Sequence, residues 1–166
     1  MNKNKYMSAI ILILPIIMVF VDQMTKYFIV STYAIHTGEA IINNFFYFYY
    51  TQNTGSAFSF LADKSWGIWV LTGFSTLLAV IVFIYLIKSL KVNEYMVAAS
   101  LSLLLAGAIG NLIDRFRLHY VVDFIRFDFG SWTFPIFNVA DICAVVGTIL
   151  IISIMLFFPK RVEKIW

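Results

Sequence analysis

Two aspartates stand out for their surroundings: Asp123 in "VVDF" and Asp141 in "FNVAD", eighteen positions apart and flanked by valines, isoleucines and phenylalanines. A carboxylate taken out of water without a partner is costly. Two carboxyls held close together in apolar surroundings cannot both ionise cheaply, so they share one proton and titrate as a pair. The ionised member can take a proton from water while the neutral member donates to the carbonyl under attack. Such a pair needs no serine or cysteine nucleophile and no metal. The residues alone leave a plainer alternative open, in which each acid is a charge paired with Arg115 or Lys26 for folding.

Other polar residues recur at helical spacings near these acids. Asn138 and Asp141 are three apart, Asn111 and Arg115 four apart, and Asp22 and Lys26 four apart, so each pair shares a helix face. Asp22 precedes Lys26, the better order for a helical ion pair, and the pair reads first as structural and second as a substrate contact. Asp114, beside Arg115, reads as a helix-end partner for a basic residue, and Asp63 and Asp128 as solvated loop charges. Ala106, Gly107 and Gly110 would let their helix approach a neighbour closely.

The elements that must position these residues follow from composition. The chain has 166 residues, is 61% hydrophobic and only 13% charged, and has a mean hydropathy of +0.88. A soluble domain of this size cannot hide so much apolar surface, so part of its solvent is lipid. Four apolar spans fall at about 7–27, 66–87, 95–113 and 137–158, within a single domain over 1–166. The first span, preceded by Lys3 and Lys5, is read as a retained helix, since no small-x-small cleavage site follows it.

Four spans place both termini on one side. That side carries seven lysines and arginines (Lys3, Lys5, Lys88, Lys91, Lys160, Arg161, Lys164) against two glutamates, and the other carries five against seven acids. The positive-inside rule makes the termini cytoplasmic and turns the 28–65 and 114–136 connections outward. Asp22, Lys26, Asn53, Asn111, Arg115, Asp123, Asn138 and Asp141 then gather near one depth, the outer interface. Ionisable residues at membrane depth mark function by default. The 41–60 segment, "IINNFFYFYYTQNTGSAFSF", reads as short strands with a turn at Asn53–Gly55, and its aromatics suit a headgroup belt.

Several classes are disfavoured. A net charge of +3 with no basic stripe gives no case for nucleic acid. The single cysteine, Cys143, lies in an apolar run and reads as a buried hydrophobe. His36 and His119 are isolated, so no metal or other cofactor is expected. A proton-coupled transporter would need ionisable residues through the whole depth. A non-catalytic scaffold would hold its polar residues for helix packing alone.

Five motifs in order, "DQMTK" at 22–26, "NTGSAF" at 53–58, "GNLIDR" at 110–115, "VVDF" at 121–124 and "FNVAD" at 137–141, make the chain resemble the signal peptidase II (lipoprotein signal peptidase) family across nearly its whole length. The resemblance implies an integral membrane α-helical fold with four transmembrane helices, a small extracytoplasmic β-rich segment and a loop or helix lid. It implies an aspartyl endopeptidase of the bacterial cytoplasmic membrane. Such an enzyme cuts prolipoproteins before a diacylglyceryl-modified cysteine. Asp123 and Asp141 then fall on the catalytic pair, and Asp22, Lys26, Asn53, Gly55, Asn111, Arg115 and Asn138 on substrate-binding or positioning roles. Implied partners are prolipoprotein substrates, membrane lipids and globomycin-type inhibitors, and a monomer suffices because one chain supplies every motif. Family members often carry glycine two residues before "VxDF", where this chain has His119.

Overall fold

The computed structural model describes residues 3–55 and 66–165. Four long apolar helices, α1 (Lys3–Thr32), α2 (Gly67–Lys91), α3 (Tyr95–Leu118) and α4 (Val139–Phe157), are each long enough to cross a bilayer, and a short α5 (Pro159–Glu163) follows. Helix α3 is the hub: α4, α2 and α1 all pack on it, while α1 touches α4 over a shorter stretch. The α3–α4 contact depends on small residues. A Cβ added at Gly110 would lie 2.7 Å from Asp22 Oδ2 and 2.9 Å from the Ala140 Cβ, and one at Gly107 would collide with the Ala140 carbonyl. The sequence "AGAIG" therefore sets how near the polar faces of three helices can come.

Pro15 lies inside α1 and has no N–H for the Ile11 carbonyl one turn earlier. The Ser102 hydroxyl of α3, fully buried, donates to that carbonyl at 2.7 Å. The other buried hydroxyls behave differently: Thr72, Ser89 and Ser100 each bond back to a carbonyl four residues earlier in their own helix. Ser102 instead pins α3 to α1 at the point where the proline opens the ladder.

Four antiparallel strands, β1 (Gly38–Ile42), β2 (Phe46–Asn53), β3 (Val121–Phe129) and β4 (Trp132–Thr133), form one sheet in the order β1-β2-β3-β4. Both long connections thus contribute to a single sheet, which joins the α1–α2 and α3–α4 connections. The aromatics of 45–50 pack mainly on β3. Phe46 stacks on Phe127 with ring centroids 5.1 Å apart, Phe48 meets Phe124, and Tyr50 is buried in a cluster with Ile29, Val122 and Phe124. Asp128 is not a free loop charge: Arg126 grips both its oxygens at 2.9 Å and the Thr133 hydroxyl donates to it, which holds its carboxyl below the usual range. Asp63, part of the "NTGSAF" motif (56–58) and the last residues, 56–60, of the 41–60 segment lie outside the described residues.

Helix α3 runs past the apolar window that ends at Ile113. Asp114, Arg115 and Arg117 end the apolar run without ending the helix, and the stop is His119, which takes the left-handed conformation (φ 63°) with its N–H on the Arg115 carbonyl. That is the C-terminal cap position where glycine is favoured. The histidine that replaces it lies against the Trp69 ring, with centroids 5.1 Å apart.

Candidate active site

Strand β3 delivers Asp123 through its pleat. Val122 and Phe124 face the buried apolar cluster, whereas Val121 and Asp123 face a cavity of about 540 Å³. The register pairs Thr51 with Asp123 and Asn53 with Val121, which brings the Asn53 amide within 2.9 Å of Asp123 Oδ2. Asn53 Oδ1 in turn accepts the Gly55 N–H at 3.0 Å, the compact turn the sequence suggests at these residues.

Helix α4 is clamped to β3 just before it begins. The Phe137 carbonyl accepts the N–H groups of Phe124 and Ile125, and the Phe137 N–H returns to the Ile125 carbonyl at 3.1 Å. Asn138 then serves as N-cap. Its Oδ1 accepts the Asp141 N–H at 2.9 Å, and Asp141 Oδ2 accepts the Asn138 N–H at 3.1 Å, a reciprocal capping box. The three-residue spacing of Asn138 and Asp141 is thus a helix start as well as a shared face.

The two acids are joined through two amides. Asn138 Nδ2 donates to Asp123 Oδ1 at 2.7 Å and to Asn111 Oδ1 at 3.1 Å, and Asn111 Nδ2 donates to Asp141 Oδ1 at 2.8 Å. Lys26 Nζ also donates to Asn111 Oδ1, at 3.1 Å. Two donors on its oxygen fix which way the Asn111 amide points and leave its nitrogen facing Asp141. Burial, reinforced by the nearby Asp141 charge, pushes the Asp123 carboxyl up to about 7, against the opposing pull of the Asn53 and Asn138 donors and the Lys26 charge.

Beneath this pair lies a second polar layer. Lys26 sits between Asp22 Oδ2 at 2.9 Å and Asp114 Oδ2 at 2.8 Å, with all three side chains almost wholly buried. Asp114 therefore partners Lys26 rather than its neighbour Arg115, and its Oδ2 also accepts the Val122 N–H at 3.1 Å, tying α3 to β3. Asp22 Oδ1 accepts the Ala140 N–H at 2.8 Å, satisfying an orphan donor in the first turn of α4 from another helix. Gln23, which sequence reasoning passed over, reaches Asp114 Oδ1 at 3.0 Å and both Asp22 Oδ2 and the Gly110 carbonyl at 3.2 Å. Its signal was a polar side chain inside an apolar span.

Arg115 lines the cavity, and its Nε is buried with no hydrogen-bond partner among the described residues. Of the nine residues singled out from the sequence, Asn53, Gly55, Asn111, Arg115, Asp123 and Asp141 line the cavity. Asp22, Lys26 and Asn138 hold those six from behind. The rest of the wall is apolar, from Phe134 to Phe137 and from Ile142 to Val146. Ile142, Val145 and Val146 are also exposed on the outside of α4, so the cavity adjoins a surface that faces lipid in a bilayer.

Fold and site together define a class: a polytopic helical membrane protein with a buried acid–amide cluster at one end of its bundle, beside a cavity flanked by lipid-facing side chains. The profile of the family described as Signal peptidase (SPase) II matches residues 14–157. Among similar proteins are lipoprotein signal peptidases of Clostridium tetani, 39% identical over 88% of this chain and 90% of that one, and of Xanthomonas campestris pv. campestris, 36% identical over 99% of both. A solved structure titled as a bacterial membrane enzyme determined by the in meso method at 2.3 Å superposes with a TM-score of 0.74 at 33% identity, covering 89% of this chain and 88% of that one. The chain belongs to the signal peptidase II family.

Proposed function

We infer that this protein removes signal peptides from bacterial prolipoproteins, cutting before the diacylglyceryl-modified cysteine with Asp123 and Asp141 as its catalytic pair. The observation that carries the reading is the amide bridge: two carboxyls on one cavity wall, Asp123 buried and Asp141 half-buried, each fixed by an asparagine that touches the other asparagine. Asp123, with its raised affinity for a proton, is the neutral member at rest. Asp141, in the first turn of α4 where the helix N-terminus favours negative charge, is the ionised member. Asp141 takes a proton from water as the water oxygen bonds to the scissile carbonyl carbon, and Asp123 protonates the carbonyl oxygen. The tetrahedral intermediate then collapses: the C–N bond breaks, the leaving nitrogen takes the proton held by Asp141, and Asp123 recovers a proton from a hydroxyl of the intermediate as the new carboxyl forms.

The remaining polar groups serve binding and pre-organisation. Arg115 Nε offers a donor to a peptide carbonyl of the substrate, while Asn53, Asn111 and Asn138 keep the acids in place before substrate arrives. The Ile142–Val146 flank admits the lipid-bearing cysteine sideways from the bilayer. The charge bias of the connections puts the termini in the cytoplasm of the cell and the site near the outer leaflet of the cytoplasmic membrane. A monomer is the working unit. The test is to offer the purified protein a prolipoprotein with and without diacylglycerol and read the products by mass spectrometry. The reading expects a new N-terminus at the lipid-bearing cysteine and no cut without the lipid. Cleavage elsewhere, or equal cleavage of both, would refute it.

A further inference from the structure

A second cavity, about 590 Å³, lies between α1 and α2 with α3 as its floor, and shares no lining residue with the cavity beside the acids. It exists because α1 and α2 each pack on α3 and barely touch one another. Leu12, Ile16 and Val19 form one wall and Val80, Phe83 and Leu86 the other. From Thr76 to Leu86 the α2 wall is ~15 Å long at helical rise, and apart from Thr76 every lining side chain is apolar, a slot that suits an acyl chain.

The groove has a charged end. Lys5, Leu12 and Val19 recur every seven residues on α1 and share one face, which puts Lys5 two turns beyond the apolar wall toward the chain termini. Lys91 closes α2 five residues beyond Leu86 on the same side of the bilayer. Both lysines are exposed, and among the described residues neither has an ion-pair partner. Of the other basic residues on that side, Lys88 lies over the Tyr85 ring, and Arg161 and Lys164 hold Glu94, while Lys160 is exposed on the short α5. An apolar slot leading to two free cations matches an anionic phospholipid. We propose that the α1–α2 groove is a binding site for one anionic phospholipid of the leaflet on the termini side, with an acyl chain between Ile16 and Val80 and its phosphate at Lys5 and Lys91.

The site stands apart from the proposed catalytic residues, so its test needs no cleavage assay. The full-length protein in maltoside detergent is titrated with dioleoyl phosphatidylglycerol or dioleoyl phosphatidylcholine, and bound lipid is counted by native mass spectrometry. The wild type is expected to retain one phosphatidylglycerol at least tenfold more tightly than phosphatidylcholine. Val80→Trp and, separately, Ile16→Trp fill the slot from exposed positions (51% and 68% accessible) and are expected to weaken phosphatidylglycerol binding at least tenfold without changing helix content. The Lys5→Gln/Lys91→Gln variant is expected to bind the two lipids equally. Equal binding of the two lipids by the wild type, or unchanged binding in both tryptophan variants, would overturn the proposal. So would equal occupancy by free oleate.

Discussion

Ser102→Ala should destabilise the protein by an amount that depends on Pro15. The proline leaves the Ile11 carbonyl without its helical donor, and the Ser102 hydroxyl supplies one at 2.7 Å from a fully buried position. Alanine nearly matches serine in size, so the loss is the hydrogen bond and not a cavity. An orphaned buried carbonyl costs about 1–3 kcal/mol, and interhelical hydrogen bonds in membranes measure ~0.6 on average and ~1.7 at most. The expected cost is therefore about 1–1.5 kcal/mol, or roughly 2–6 °C in Tm for a chain of this size. Pro15→Ala gives the Ile11 carbonyl its own helical N–H. In that background Ser102→Ala should cost under ~0.5 kcal/mol, leaving a coupling of about 1 kcal/mol. Thermal unfolding of the four proteins in one detergent measures the cycle. Equal costs of Ser102→Ala in both backgrounds would refute the reasoning.

Three further outcomes follow from the site. Lys26→Met should leave the buried carboxylates of Asp22 and Asp114 without their cation and cost about 3–5 kcal/mol; adding Asp22→Asn and Asp114→Asn should recover most of the loss in the same unfolding assay. Asn138→Asp keeps a good helix cap but replaces the amide donor on Asp123 with a carboxyl, so circular dichroism should be unchanged while kcat/KM at neutral pH falls about 10²-fold or more. Asp123 binds its proton more tightly in the folded state than in the unfolded one, where its pKa is near the ordinary 3.8 of an aspartate. Its contribution to stability therefore declines as pH rises from about 4 to about 7 and is level above that. The Tm of the wild type should fall across that window more than the Tm of Asp123→Asn, and peptidase activity should decline above pH about 7 as the proton leaves.

The polar cluster was legible because lipid makes charge conspicuous. Asp22, Lys26, Asn111, Arg115 and Asp141 interrupt or border apolar runs, and their helical spacings already grouped them by face. Three things were not legible. The partner of Asp114 is set by which helix lies across from it; the sequence says only that it is a basic residue, and the fold makes it Lys26. Gln23 was passed over because the charged Asp22 and Lys26 on either side drew the argument, though its nitrogen lies near three acceptors. The end of α3 was misjudged because charge ends a hydrophobic window whereas backbone conformation ends a helix, here at His119. The aromatic run at 45–50 suited a headgroup belt in sequence. Only the pairing of β2 with β3 shows that half of it packs inward.

The most direct test compares cleavage of a diacylglyceryl prolipoprotein by the wild type, Asp123→Asn and Asp141→Asn, each first confirmed as folded by its unfolding transition in detergent. The account predicts two folded variants whose rates fall by at least about 10³-fold, since each carboxyl handles a proton that the other cannot. Near-normal cleavage by either folded variant would contradict it.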